Sequence, residues 1–287
     1  MIKLEKAHKS FVDHLQDLKR SESTIIAYSK DVEQLIEHLL EKGVNLVHEI
    51  ETHHLEDFMG KLANESYTPK SISRKTNSTK TFFRFLIAEG YIEVNAADQL
   101  KHPKVEVKAP RILSRLEYGA LRDVAKEDNR TFAIIEVLLQ TGIRISELAQ
   151  IKLEDVDLKN GTLTIPERGN NMSRRIPLNK AVVSAISSYL EERPEIESEY
   201  LFITKTGRPL LVRNIRATID RYFKTAGISD AKVNDLRHTF VAFHLAQGTN
   251  LLTVSKIAGH KRISTTERYL EYIEKVTEEE KTELGVL

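Results

Sequence analysis

The chain has 287 residues, 40% of them hydrophobic and 30% charged, with a formal net charge of +1 and no cysteine. Such a composition suits two ordinary domains and excludes a disordered chain, a disulfide scaffold, a thiolate nucleophile and a Cys-based zinc site. No apolar run reaches membrane-spanning length and the start "MIKLEKAHKSF" lacks a signal-peptide core, so a cytoplasmic protein with no membrane partner is expected.

The first hundred residues read as helices. "KAHKSFVDHLQDLKR" carries apolar residues at helical spacing, and "SESTIIAYSKDVEQLIEHLLEKG" is a long amphipathic segment stopped by Gly43. "THHLEDFMGKLA" follows, then "TPKSISRKTNSTKTFFRFLIAEG", which stops at Gly90. "LKHPKVEVKAPRIL" has two prolines and no helical period, so it reads as an extended connection. The expected division is a helical domain over 1–102, a linker over 103–112 and a second domain over 113–287.

The second domain is mixed. "SRLEYGALRDVAKE" opens on a capping box, Ser114 with Glu117, and "RTFAIIEVLLQTG" is apolar on nearly all sides, a buried helix. "DVDLKNGTLTIP" sets Asn160-Gly161 between alternating runs, a hairpin signal, and "SRRIPL" supplies a third strand. "NKAVVSAISSYLEE", "VRNIRATIDRYFKTAG" and "VNDLRHTFVAFHLAQG" read as helices, with "EYLFIT" a short strand between the first two. The fold class expected is therefore mainly α, with an α+β second domain holding a small antiparallel sheet. In "GHKRISTTERYLEY", Gly259 ends a helix begun near Asn250, and Ser264 with Glu267 matches the capping box of another. Locally, Tyr269 and Tyr272 are either one packed helix face or chemistry.

Charge is uneven along the chain. Residues 1–102 hold 14 bases against 16 acids, 113–270 hold 24 against 19, and 271–287 hold two against six. An acidic tail can mask a basic body, so near-neutrality decides nothing about a polyanionic partner. The ten histidines form no H-E-x-x-H pair and no Gly-rich phosphate loop occurs, so neither a metal nor a nucleotide cofactor is expected.

Four strings in the second domain stand in a telling order: "TGIRISEL", "PERGNNMSRR", "NDLRHTF" and "GHKRISTTERY". In type, order and approximate spacing the first, third and fourth resemble the tyrosine recombinases, the family of phage and transposon integrases and chromosome-dimer resolution enzymes. The resemblance spans the chain. It implies a helical DNA-binding domain and a catalytic domain forming a C-shaped clamp on double-stranded DNA at a specific site. It also implies strand exchange through a Holliday junction, a homo-tetramer on two sites, and a C-terminal tail exchanged between protomers.

By the same resemblance, Arg144 and Arg237 are the arginines that meet the transition state and Glu147 buttresses Arg144. His260 donates to phosphate or tyrosine, and Tyr269, nine residues on, is the nucleophile; Tyr272 falls outside the pattern and is left to packing. The chemistry suits these types. Tyrosine attack on a phosphodiester gives a covalent phosphotyrosine and a free 5′-hydroxyl, so the strand can be rejoined without ATP. Charge grows on the non-bridging oxygens, and guanidiniums stay cationic and grip oxygens in a fork. Each such donor is worth roughly 2.7–4 kcal/mol by analogy with oxyanion-hole deletions. Arg144 also stands near a helix start, where free N–H groups favour an anion.

Two positions depart from the family pattern. A lysine is usual in the hairpin loop, where Arg168 stands here; an arginine yields its proton reluctantly, and Arg174 or Arg175 are alternatives for that place. Asn234 occupies a position where histidine or lysine is common; its amide donates to an oxygen but shuttles no proton. These changes predict a slower enzyme, a lysine supplied from another segment or, alternatively, a catalytically weakened DNA-binding protein with this fold. In the first domain, Lys70, Arg74, Lys75, Lys80 and Arg84 interleave with hydroxyls and amides and are the expected DNA contacts.

Overall fold

Apolar residues three and four apart, bounded by caps and glycines, fold the first hundred residues into helices. A computed structural model describes residues 1–106, 108–167 and 172–283. The chain divides into two compact units, Met1–Val107 and Lys108–Leu287, so the boundary falls inside the segment expected as a linker.

The first unit holds α1 (Leu4–Asp17), α2 (Glu22–Glu41), α3 (Thr52–Asn64) and α4 (Pro69–Ala88). Ser21 caps α2 by accepting from the Thr24 amide, and Thr68 caps α4 through Ser71, with Pro69 at the first helical position. Phe11, Leu35, Leu39, Phe58, Phe82 and Leu86 are buried together, and the Phe11 and Phe82 rings meet edge-on at 5.2 Å. Each aromatic so buried contributes on the order of 2–3 kcal/mol by area.

Within this core lies a polar knot. Lys75 is buried, and its ammonium donates to Asp31 (2.9 Å) and to the Gln34 carbonyl oxygen (2.5 Å); Ser78 also donates to Asp31 (3.0 Å), and Arg74 pairs with the same carboxylate. Lys75 is thus a structural cation, not the exposed DNA contact its place in a basic run suggested. Burial without these partners would cost several kcal/mol per ion. Arg74 is committed to Asp31, Lys80 donates to the Asp98 carbonyl (3.2 Å), and Arg84 to the Lys80 carbonyl (3.2 Å). Lys70 is exposed, with no hydrogen bond or ion pair among the described residues.

The second unit carries α5 (Arg115–Ala125), α6 (Asn129–Thr141), α7 (Ile145–Leu148), α8 (Lys180–Glu192), α9 (Val212–Thr225), α10 (Val233–Ala246), α11 (Leu251–Ala258) and α12 (Ser264–Glu283). The Ser114–Glu117 capping box forms as expected. The all-round apolar α6 is buried by α5, α8 and α10. A three-stranded antiparallel sheet runs β1 (Val156–Asp157), β2 (Thr162–Ile165), β3 (Arg174–Pro177), with Leu163 opposite Ile176 and Ile165 opposite Arg174. The fold is mainly helical with a small antiparallel sheet, as the pattern predicted.

Two local expectations need correction. "EYLFIT" is not a strand: Tyr200 and Ile203 make only isolated bridges, to Lys152 and Pro209. Lys152 runs straight into a short 3₁₀ turn and Pro209 has no amide to donate, so neither partner can extend a ladder. The Ser264–Glu267 box does not cap α12. The Glu267 amide bonds the Ile263 carbonyl, and Ser264 is already helical. Residues 284–287 of the tail expected to reach a neighbouring protomer lie outside the described residues, and Ile273 packs within its own unit.

Candidate active site

The site begins where α6 stops. Gly142 turns the chain at φ +61°, and a Cβ there would lie 2.3 Å from the Phe240 ring, so both conformation and closeness demand glycine. The turn delivers Arg144 to the head of α7. Glu147, one turn on, accepts the Arg144 amide (2.8 Å) and its Nη1 (3.0 Å). The expected anion site at this helix start is not what α7 offers: it is a single turn whose leading amide Glu147 already takes. The charge at this point belongs to the guanidinium.

The hairpin supplies a second cation. Strand alternation puts Arg174 on the same face as core residue Ile176 and leaves Arg175 exposed. Arg174 forks Glu147 through Nη1 (3.0 Å) and Nη2 (2.8 Å) and donates Nε to the Ile257 carbonyl (2.8 Å). With every nitrogen engaged, Arg174 is a brace. It lies flat against Gly259, where a Cβ would approach its Cζ to 2.8 Å and φ is +70°. Arg168 lies outside the described residues.

Arg237 arrives from α10, buried to 6% exposure. Its Nη1 donates to the carbonyls of Gly142 and Ala258 (2.6 Å to the latter), while Arg144 Nη2 donates to the next carbonyl, Gly259 (2.6 Å). Two guanidiniums from distant parts of the chain therefore meet on consecutive peptide units. Both keep donors with no partner among the described residues: Nε on Arg144, Nε and Nη2 on Arg237.

His260 follows directly, and Tyr269 lies in the second turn of α12. The His260 ring stacks on the Tyr269 ring at 6.3 Å, its Nδ1 2.7 Å from Thr266 Oγ1. Tyr269 is 6% exposed, packed with Phe240, Val254 and Ala258. Its hydroxyl lies 2.6 Å from Nδ1 of His238, a residue of the "NDLRHTF" string to which the motif reading gave no role. His238 Nε2 lies 2.7 Å from the Asn234 side-chain amide. The missed signal was helical spacing: positions 234 and 238 share a face of α10. Tyr272 is half-buried and makes no hydrogen bond among the described residues.

The electrostatics follow from burial and crowded cations. Burial lowers the Arg237 pKa to about 10, with the Arg144 charge adding to the effect, so it stays cationic at neutral pH. Burial alone would raise Glu147, but hydrogen bonds from Arg174 and the Arg144 amide hold it below the usual carboxylate range. His260 falls to about 4 through burial and the charges of Arg237 and Arg144, so it is neutral. Burial pushes the Tyr269 phenol up, and Arg237 pulls against that. One carboxylate among three arginines leaves a surplus of positive charge at a partly buried site, which suits an anion.

Beside the cluster lies a cavity of about 380 Å³ lined by Ile143, Arg216, Lys232, Asn234 and Arg237. Arg216 and Lys232 there are exposed, with no ion pair among the described residues. Among the described residues no group of three or more His, Asp or Glu side chains could hold a metal ion.

Comparison with known proteins bears on the family and the fold. The family described as "Phage integrase family" matches residues 107–275, and "Phage integrase, N-terminal SAM-like domain" matches residues 9–90. Tyrosine recombinase XerC of Staphylococcus carnosus is 33% identical over 87% of this chain and 86% of its own length. Tyrosine recombinase XerC of Chlorobaculum parvum is 32% identical over 90% and 88%. Among solved structures, XerA recombinase has a TM-score of 0.54 at 27% identity, covering 93% of each chain. A lambda integrase (75–356) dimer bound to a COC′ core site has a TM-score of 0.76 at 18% identity, covering 92% of this chain and 97% of that one, a likeness of fold. Motifs, fold and relatives agree: the chain belongs to the phage integrase family, the tyrosine recombinases.

Proposed function

We infer that this recombinase cuts and rejoins double-stranded DNA at a specific site, with Tyr269 forming a 3′-phosphotyrosine while Arg144 and Arg237 hold the non-bridging phosphate oxygens. The observation carrying this reading is the meeting of those two guanidiniums on the Ala258 and Gly259 carbonyls, beside His260 and the Tyr269 ring, each with donors to spare. Glu147 and Arg174 brace the pair. His260, neutral and with Nδ1 held by Thr266, has Nε2 available to donate to phosphate. Asn234, at the rim of the cavity, offers its amide to the same group.

Two cleavages exchanged between sites proceed through a Holliday junction, which calls for a homo-tetramer on two sites with tails exchanged between protomers. The helical unit contributes the exposed Lys70 to the DNA backbone, with Arg74 reaching it only through the nitrogens that Asp31 and the Ala27 carbonyl leave free. The leaving 5′-oxygen is protonated or held from the hairpin loop, by Arg168, or from Lys232 in the cavity. The chemistry uses no nucleotide, and a cysteine-free chain suits a reducing cytoplasm.

The test starts by sequencing DNA cross-linked to the protein to recover its target. A duplex carrying that target, nicked so that cleavage cannot be reversed, should trap a covalent protein–DNA adduct on a denaturing gel. Tyr269→Phe should bind the duplex and give none. An adduct that survives the substitution would falsify the nucleophile. Tight, specific binding by wild type without any adduct would favour a protein that only binds.

A further inference from the structure

A tyrosine that attacks phosphorus must give up its proton, and the group nearest that proton is not His260. His238 Nδ1 lies 2.6 Å from Tyr269 Oη, whereas His260 engages Thr266 and only stacks its ring on the tyrosine. On its far side, His238 meets Asn234 at 2.7 Å, one turn back on α10. Amide, imidazole and phenol form one hydrogen-bonded chain leading from the cavity rim to the nucleophile. We propose that His238 is a further catalytic residue, the base that takes the Tyr269 proton in cleavage and returns it in rejoining, with Asn234 setting its tautomer. This rests on Tyr269 being the nucleophile.

The step balances without a co-reactant beyond water. As the Oη–P bond forms, the Oη–H bond breaks and its proton moves to His238 Nδ1. The P–O5′ bond breaks, and O5′ leaves with the electron pair and takes a proton from Lys232 or from a water, a loss that the proton gained by His238 makes good through solvent. Rejoining reverses each movement. Transfer accompanies bond formation because the phenol becomes acidic only as its oxygen bonds phosphorus.

Asn234 decides which ring nitrogen is free. With Nδ2 facing the ring, Nε2 accepts, and Nδ1 carries the proton and donates to Oη, which aligns the phenol. With the amide turned by half a rotation, Nε2–H donates to the amide oxygen, and Nδ1 becomes an acceptor for the phenol proton. Asn234 is exposed and has no other hydrogen bond among the described residues, so the turn breaks no second contact. An asparagine that shuttles no proton still has work here, because it steers a histidine that does. Burial keeps His238 below the ordinary imidazole range, Asp235 opposing and Arg237 adding, so the ring is neutral and able to accept.

The experiment measures single-turnover adduct formation on the nicked target with wild type, His238→Asn, His238→Ala and Tyr269→Phe, beside target affinity and thermal melting of each. His238→Asn keeps a hydrogen-bonding amide near the Nδ1 position and takes no proton. It should bind and melt like wild type and cleave about 10²–10⁴-fold more slowly. A substrate with sulfur in place of the leaving 5′-oxygen, which departs without a proton, should not restore the rate, and added imidazole should partly rescue His238→Ala. If His238→Asn cleaves as fast as wild type while Tyr269→Phe gives no adduct, the base assignment is wrong and the nucleophile stands. If the sulfur substrate restores the variant fully, His238 serves the leaving group and the proposal is overturned. If wild type forms no adduct, or Tyr269→Phe keeps it, both readings fall.

Discussion

Each unit sets a shielded carboxylate between two cations, and the two clusters end differently. In the helical unit, Asp31 takes Arg74, Lys75 and Ser78, and Lys75 spends its remaining reach on Gln34. In the catalytic unit, Glu147 takes Arg144 and Arg174, and Arg237 beside them leans on carbonyls alone. The first network is closed: the buried ammonium of Lys75 is neutralised and hydrogen-bonded. The second is open, with an excess of charge and unused donors. A closed cluster contributes to folding, whereas an open one waits for an anion. Counting basic residues in a run cannot tell them apart; following each donor to its acceptor can.

The sharpest way to test that contrast is to break each cluster and see which property fails. Asp31→Ala strands Lys75 in the core and should cost about 3–5 kcal/mol of unfolding free energy in urea titration. If the loss stays below about 1 kcal/mol, the knot is not closed in the sense argued here. Arg237→Ala should do the opposite. Cleavage of the nicked target should fall about 10²–10³-fold, while stability falls by less than in Asp31→Ala, because the carbonyl hydrogen bonds lost are partly offset by removing a cation crowded by Arg144. A variant that unfolds early yet cleaves at the wild-type rate would put both clusters in one class. The smallest effect concerns the exposed cation. Lys70→Ala should reduce the salt dependence of DNA affinity by about one unit of slope, and Lys75→Met should leave it unchanged.

Much of this architecture was readable because it depends on short-range rules. Helices betray themselves by apolar spacing, and Gly43, Gly90 and Gly142 end theirs with positive φ where the pattern stops. Arg144, Arg237, His260 and Tyr269 were legible as an ordered set of motifs. What escaped depends on distance along the chain. Lys75 sits in a run of exposed-looking bases, and only Asp31, 44 residues earlier, makes it a core residue. Arg174 and Arg175 are adjacent and alike, and the phase of a four-residue strand decides which braces Glu147. His238 touches a tyrosine 31 residues away through helix packing that no local pattern encodes. "EYLFIT" has strand-like composition, but a ladder also needs neighbours with amides in the right places.

The stapling of the Ala258 and Gly259 carbonyls by Arg237 and Arg144 has a consequence for how substitutions there behave. Each guanidinium is at once a charge and a clip on the bend that launches the tyrosine's helix. A lysine restores the charge, yet its single ammonium lacks the span to clasp a peptide oxygen and still extend a hydrogen towards a guest. Arginine-to-lysine exchange at 144 or 237 thus trades a rigid anchorage for a loose one, and the placement of Tyr269 slackens with it.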